Sequence, residues 1–279
     1  MSAVKHRPAP PLDKLVECLW WSERNAPLDA VEHMLPTGAA YVVFPLHDLP
    51  MACRAASPGR EVFQWKRGIA HGPQSGFYMS GPKPAGAVAG IALQPGAAEA
   101  IIGIPSSELA GQHVMMNALW GPRADILHER LCEAARPTAV FQILEQELLG
   151  RLRQPLLIHP AVAHALQRAR RARVRVDDIR RELNLSPRHF IDLFHTAVGL
   201  TPGRYYRVRR FARILLAVAQ NGPGHMADLA AEAGYSDQSH LIREFREHAG
   251  MTPTQYRPVD LASPHHHSAE RCDPGGRQK

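Results

Sequence analysis

Arg188 and Arg243, with Gln238 and Ser239 beside the second, carry hydrogen-bonding groups that fit the edges of nucleic-acid bases. A guanidinium forks onto the two acceptors of guanine, and a carboxamide onto adenine. These residues lie in a one-sided field. Residues 159–257 hold 16 Arg, no Lys and 9 acidic side chains, so the net charge of +7 resides there, while the rest of the 279-residue chain balances at 17 basic and 17 acidic. Arginine neutralises phosphates and releases their counterions, so a polyanion suits this distribution. A solvated basic surface without a ligand is the alternative that charge alone leaves open.

The elements that must position these residues are repeated. Phe190, Phe194, Gly199, Thr201-Pro202 and Tyr205 recur 51 residues later as Leu241, Phe245, Gly250, Thr252-Pro253 and Tyr256. Upstream, residues 179–186 resemble residues 229–236 at a spacing of 50, so the second copy has one extra residue in its turn. Each copy predicts a short helix (178–183; 226–233), a tight turn through Asn184 or Gly234, and a second helix. Asn and Gly both tolerate the left-handed conformation such a turn needs. Ser186 followed by Pro187 is an N-cap and first helical position, and Ser236 or Asp237 can cap in the second copy. Phe190 with Phe194, and Leu241 with Phe245, fall one turn apart on the buried face. Gly199 and Gly250 stand where a helix ends in a left-handed residue.

Helix, tight turn, helix is the arrangement that sends its second helix into a major groove. The buried faces leave Arg188, Ile191 and Asp192 outward in the first copy, and Gln238, Ser239, Ile242 and Arg243 in the second. Between the copies, residues 203–220 predict a helix with Arg204, Arg207, Arg209, Arg210 and Arg213 interleaved among apolar positions. These arginines either hold phosphates or pack along the helix; the pattern does not separate the two. About 18 residues at 1.5 Å each span about 27 Å, close to the roughly 34 Å between successive major grooves.

The stretch from Ala230-Ala231-Glu232-Ala233-Gly234-Tyr235-Ser236-Asp237-Gln238-Ser239-His240-Leu241 through Arg243, Phe245, Gly250, Thr252-Pro253 and Tyr256-Arg257 resembles the AraC/XylS family of transcription regulators. Leu185-Ser186-Pro187-Arg188-His189-Phe190 through Phe194 and Val198-Gly199-Leu200-Thr201-Pro202 resembles the first of that family's two helix-turn-helix units. The resemblance covers about a hundred residues. It implies sequence-specific binding to double-stranded DNA and control of transcription initiation, with RNA polymerase as a further partner. Base reading falls, by this resemblance, on Arg188, Ile191 and Asp192, and on Gln238, Ser239, His240 and Arg243. Arg180 departs from the small residue usual at its place. Asp192 and Ile191 depart from the polar or basic groups expected near DNA, although an acid can accept from cytosine and an aliphatic can touch a thymine methyl.

The front half reads differently. Short apolar runs such as 41–44 and 88–93 end at Gly and Pro, as strands do. Residues 12–21 read as strand or helix start, and 95–102 as a short helix. Residues 123–153 return to helical spacing, with Pro137 between two helices and Pro155 after the second. This pair is a linker, a dimer surface or the domain's own packing. The expected class is therefore α+β: a mixed domain with a small β-sheet or barrel over residues 1–122, a helical linker over 123–157, an all-α double helix-turn-helix domain over 158–257, and a disordered tail over 258–279. Leu15-Val16-Glu17-Cys18-Leu19-Trp20, His33-Met34-Leu35-Pro36-Thr37-Gly38, Gly90-Ile91-Ala92-Leu93-Gln94-Pro95-Gly96-Ala97-Ala98 and Leu119-Trp120-Gly121 resemble a small N-terminal domain found in a subset of AraC/XylS regulators. That resemblance implies sensing of a small-molecule effector or homodimerisation.

Other chemistry finds little support in the sequence. No G-x-S-x-G, H-E-x-x-H or Gly-rich phosphate loop is present, which points away from an enzyme. Cys18, Cys53, Cys132 and Cys272 form no C-x-x-C pair and no zinc-finger spacing, and none sits in the Pro-Cys-His setting of a repair methyltransferase. They read as free thiols, with no metal and no cofactor expected. His265-His266-His267 reads as a solvated triple in the tail, metal binding being the alternative. Trp20, Trp21, Trp65 and Trp120 read as core aromatics, a ligand pocket being the alternative. No run approaches the roughly 18 apolar residues of a membrane span and the first eleven residues lack an apolar signal core, so a cytoplasmic location off the membrane is expected. A competing view of the whole is a ligand-sensing domain whose helical half serves only as an interaction module.

Overall fold

The computed structural model describes residues 2–28, 30–56, 62–152, 158–169, 179, 185–224, 226–260 and 263–269. Alternation along the strands decides its layers. In β4 (Tyr41–Pro45), Val42 and Phe44 are fully buried against helices, while Tyr41 and Val43 turn to the opposite face. Successive side chains on a strand point to opposite sides, so one strand serves two interiors.

The N-terminal half is two antiparallel sheets. β1 (Ser2–His6), β2 (Val16–Arg24), β9 (Gly86–Leu93), β4, β7 (Ile69–His71) and β10 (His113–Met115) form one sheet in that order. The other runs β11 (His266–Ala269), β3 (Val31–Met34), β8 (Tyr78–Ser80), β5 (Met51–Ala55) and β6 (Phe63–Trp65). A β-bulge between Val16 and Cys18 shifts the register of β2 on β9. Beyond it Trp20 pairs with Gly90, and a Cβ on Gly90 would lie 2.3 Å from the indole. Only glycine there lets the ring lie flat over the neighbouring strand.

Short helices α1 (Ala98–Ile102), α2 (Ser106–Leu109) and α3 (Met116–Trp120) cover the outer face of the first sheet, together with α4 (Pro122–Glu133) and α5 (Pro137–Arg151). Leu127, Leu131, Val140, Phe141, Leu144 and Leu148 join Leu19, Phe44, Ile91 and Leu93 in one core. The pair expected as a linker over 123–157 is thus packed into the N-terminal half, as the domain's own packing. Pro137 is the first residue of α5 rather than a break before it. The fixed φ of proline and its missing N–H suit that position. The part of the expectation that concerns 153–157, including Pro155, lies outside the described residues.

The C-terminal half is helical: α6 (Pro160–Ala169), α7 (Pro187–Val198), α8 (Pro202–Asn221), α9 (Met226–Ala233) and α10 (Gln238–Ala249). No helix among the described residues is long and apolar enough to cross a membrane.

The tail is a correction. Residues 258–279 were expected to be disordered, yet β11 adds to the edge of β3, with His266 opposite Met34 and His267 opposite His33. Within the histidine triple His267 is buried, while His265 and His266 are half-buried. His266 Nδ1 lies 3.1 Å from the Glu32 carboxylate, and His267 Nδ1 accepts from Arg257 N–H at 2.9 Å. Strand addition uses backbone groups, which any polar sequence can supply, so composition gave no sign of it. Residues 270–279 lie outside the described residues.

Candidate nucleic-acid interface

Each copy of the repeat builds its outward helix from local chemistry. Ser186 accepts the His189 N–H at 3.3 Å and Pro187 opens α7; Asp237 accepts the His240 N–H at 2.7 Å and opens α10. That bond, reinforced by the Ser236 hydroxyl, holds the exposed Asp237 carboxyl below its ordinary range. Gly199 (φ 82°) and Gly250 (φ 74°) end the two helices in the left-handed region. Phe190, Phe194 and Val198 bury α7 against Val162 and Ala165 of α6 and against Tyr205 and Val208 of α8. Leu241, Phe245 and Ala249 bury α10 against Phe211, Ile214 and Leu215 of α8 and Ala230 of α9.

The opposite faces are open. Arg188, Ile191 and Asp192 on α7, and Gln238, Ser239 and Arg243 on α10, are exposed, Ile191 at 42% despite its apolar side chain. His240 and Ile242 are half-buried. The His240 ring meets Tyr235 edge-on at 5.2 Å and its Nδ1 lies 3.2 Å from Ser236 Oγ, so it stays close to the turn. The short helix expected over 178–183, with Asn184 and the departure at Arg180, lies outside the described residues apart from the buried Ile179.

The sequence reading missed what fixes α10 to α8. Glu244 is 3% exposed and accepts from Arg207 at 3.0 Å, from Arg210 at 2.6 and 3.1 Å, and from Tyr235 at 2.8 Å. Burial alone would raise its carboxyl, but the bonds from Arg210, Tyr235 and Arg207 outweigh that and lower it. Arg210 also lies 4.1 Å over the Tyr235 ring. The equivalent position in α7 is Leu193, so the first unit has apolar packing where the second has an ion cluster. Arg213 bonds the Ala169 carbonyl at 3.4 Å. The interleaved arginines therefore divide: Arg207, Arg210 and Arg213 are held by protein groups, while Arg204 is exposed.

A profile of a helix-turn-helix domain matches residues 179–258. Over 85 residues the chain is 35% identical to the virulence regulon transcriptional activator VirF of Yersinia enterocolitica and 32% identical to the HTH-type transcriptional regulator ExsA of Pseudomonas aeruginosa. Residues 179–258 form an AraC-type helix-turn-helix domain. The shared stretch is 30% of this chain and 30% of the length of each of these relatives. Residues 4–115 match a domain of unknown function, DUF6597. Among solved structures, ToxT of Vibrio cholerae is similar at a TM-score of 0.46 and 10% identity, over 88% of this chain and 97% of that one.

The AraC-type domain docks on the N-terminal half through the far ends of both outward helices. A Cβ on Gly199 would lie 2.6 Å from the Ser106 carbonyl, and one on Gly250 would lie 2.4 Å from the Phe77 ring. Ser106 Oγ donates to the Ala197 carbonyl at 2.5 Å, and His248 Nδ1 lies 2.6 Å from the Ser75 carbonyl. The first turns of α7 and α10, with Arg188, Gln238 and Ser239, are exposed.

Beneath the AraC-type domain is a cavity of about 400 Å³ between the two sheets. Trp20, Trp21, Tyr41, Trp65 and Tyr78 line it, with Arg209 of α8 and His265 of the C-terminal segment. Three of the four tryptophans read as core therefore face a cavity. Trp65 and Trp120 are both buried in core clusters, at 4% and 7% exposure, and the Trp120 indole donates to the Ile102 carbonyl at 3.2 Å. At the cavity edge, Glu32 is fully buried and bonded by Arg24, Lys83 and His266. Burial raises its carboxyl, but His266 and Lys83 outweigh it and bring the pKa to about 2.

Proposed function

We propose that this chain is a sequence-specific transcription regulator whose α7 and α10 enter successive major grooves of double-stranded DNA. The observation that carries the proposal is the repeated geometry: two capped helices on one shared helix, buried on one face, anchored at their C-terminal ends and open at Arg188, Ile191, Asp192, Gln238, Ser239 and Arg243. The 20-residue α8 spans about 30 Å at 1.5 Å per residue, which suits the roughly 34 Å repeat of the groove. Arg243 and Gln238 are assigned to guanine and adenine edges, Asp192 to a cytosine amino group and Ile191 to a thymine methyl. His240 supports the turn beside them.

The cavity supports a small-molecule effector. Its volume falls in the range of roughly 300–1,000 Å³ usual for ligand sites, and Trp20, Trp21, Tyr41, Trp65 and Tyr78 give its walls an aromatic share. Since Arg209 and His265 share the wall with the strands, a bound molecule would touch both halves and bias their docking. The relative named as a transcriptional activator favours RNA polymerase as a further partner.

A gel-shift series on promoter fragments with rising salt tests the DNA reading. Steep loss of affinity with salt and a preferred sequence are expected. Binding that ignores both salt and sequence would favour an interaction module instead.

A further inference from the structure

Cys53, His71 and His113 are far apart in sequence, and the fold brings them together. His71 and His113 are directly paired across β7 and β10, with their Nδ1 atoms 2.7 Å apart. Cys53 approaches from β5 of the opposite sheet, and one ligating atom from each residue lies within 4.8 Å of the others. Cys53 is 1% and His71 5% exposed, among Met51, Trp65 and Ile69. With one ring donating, the 2.7 Å contact is a hydrogen bond between neutral imidazoles, and an ion bound to both Nδ1 atoms would take its place.

We propose that Cys53, His71 and His113 form a three-ligand site for a thiophilic d10 ion, Zn2+ or Cu+, which staples the two sheets beside the cavity. One thiolate with two imidazoles selects such ions over Mg2+ or Ca2+, which take oxygen ligands. Burial leaves both rings neutral near pH 7, with His71 brought down to about 3 and His113 to about 4, so their lone pairs are available. Burial also pushes the Cys53 thiol up to about 12, so it keeps its proton until the ion displaces it. The S–H bond breaks, the sulfur–metal bond forms, and one proton passes to solvent.

The geometry needs little movement. Tetrahedral Zn2+ places two ligating nitrogens about 3.3 Å apart and sulfur and nitrogen about 3.6 Å apart. The ring pair would open by about half an ångström and the thiol close by about one. The Tyr78 ring stacks on His71 at 5.5 Å and meets His113 edge-on at 4.8 Å, and Trp65 meets His71 at 5.6 Å, which fixes the ring planes. His71 also lines the cavity, so a fourth position is open there to water or to a bound anion. The site stands independently of the DNA reading.

The test uses the full chain without an affinity tag, stripped with chelator and reductant, then titrated with Zn2+ and, without oxygen, with Cu+. One ion per chain should survive gel filtration, and Co2+ in its place should give a thiolate charge-transfer band. Cys53→Ser, nearly the same size, should lose the band and at least a hundredfold in affinity. His113→Gln, on the edge strand β10, gives a second reading if the serine variant does not fold. The combined Cys18→Ser, Cys132→Ser, Cys272→Ser variant should keep both signals. No retained ion, or unchanged affinity in Cys53→Ser and His113→Gln, would overturn the site and point to His265 to His267 or to no ion.

Discussion

Arg243 tests base reading most simply, because it is exposed on α10 and no buried partner depends on it. Arg243→Ala should cost about 1–3 kcal/mol of binding and relax preference at particular base pairs. Equal loss on every sequence, read by competition gel shift, would make it a phosphate contact. Glu32 tests the buried chemistry. Glu32→Gln leaves Arg24 and Lys83 without their carboxylate and should destabilise the fold at pH 7 by about 3 kcal/mol in urea unfolding. Its folded pKa lies below the unfolded value, so this stability is fully present above about 4.5 and is lost as pH falls toward about 2. The gap between wild type and Glu32→Gln should therefore narrow across that window. The caps at Ser186 and Asp237 were legible in the sequence because a cap acts over three residues. Glu244 and Glu32 were not, since their partners stand 9 to 37 and 8 to 234 residues away.

Among the elements, the two outward helices are held differently. α10 is tied to α8 by the Glu244 cluster, whereas α7 rests on apolar contacts. Glu244→Gln should cost about 2–3 kcal/mol, less than a fully buried pair because Arg207 and Arg210 stay partly hydrated. It should weaken contacts at the α10 half of a binding site more than at the α7 half, as read by footprinting. Gly250→Ala combines a strained φ with collision against Phe77 and should destabilise by at least about 1 kcal/mol, measured by thermal unfolding. The helical repeat was legible because its apolar spacing, caps and glycines are local signals that agree. The strands were legible as runs at 41–44 and 88–93, but their assembly into two sheets was not. Sheet pairing is non-local, and nothing in residues 31–34 announces β11 as a partner.

At the scale of the molecule, the fold joins its halves at several points: the ends of α7 and α10, the strand β11, and the wall of the cavity. The sequence separated these halves by composition and charge but could not show that they touch, because contacts through Gly199 and Gly250 look identical to ordinary helix ends. Trp20, Trp21 and Trp65, read as core, line the space between the sheets, Trp65 while also buried in a core cluster. The basic field of residues 159–257 predicts strong salt dependence. A protein making 6 to 10 phosphate contacts would lose roughly 10³- to 10⁵-fold in affinity between 50 and 200 mM salt.

Selection of bound genomic fragments, followed by sequencing, is the most direct test of two helices in adjacent grooves. The account predicts two clusters of preferred base pairs centred about 10–10.5 base pairs apart, with Arg243→Ala erasing preference in one cluster and sparing the other. A single cluster, or equal loss from both when Arg243 is removed, would contradict it.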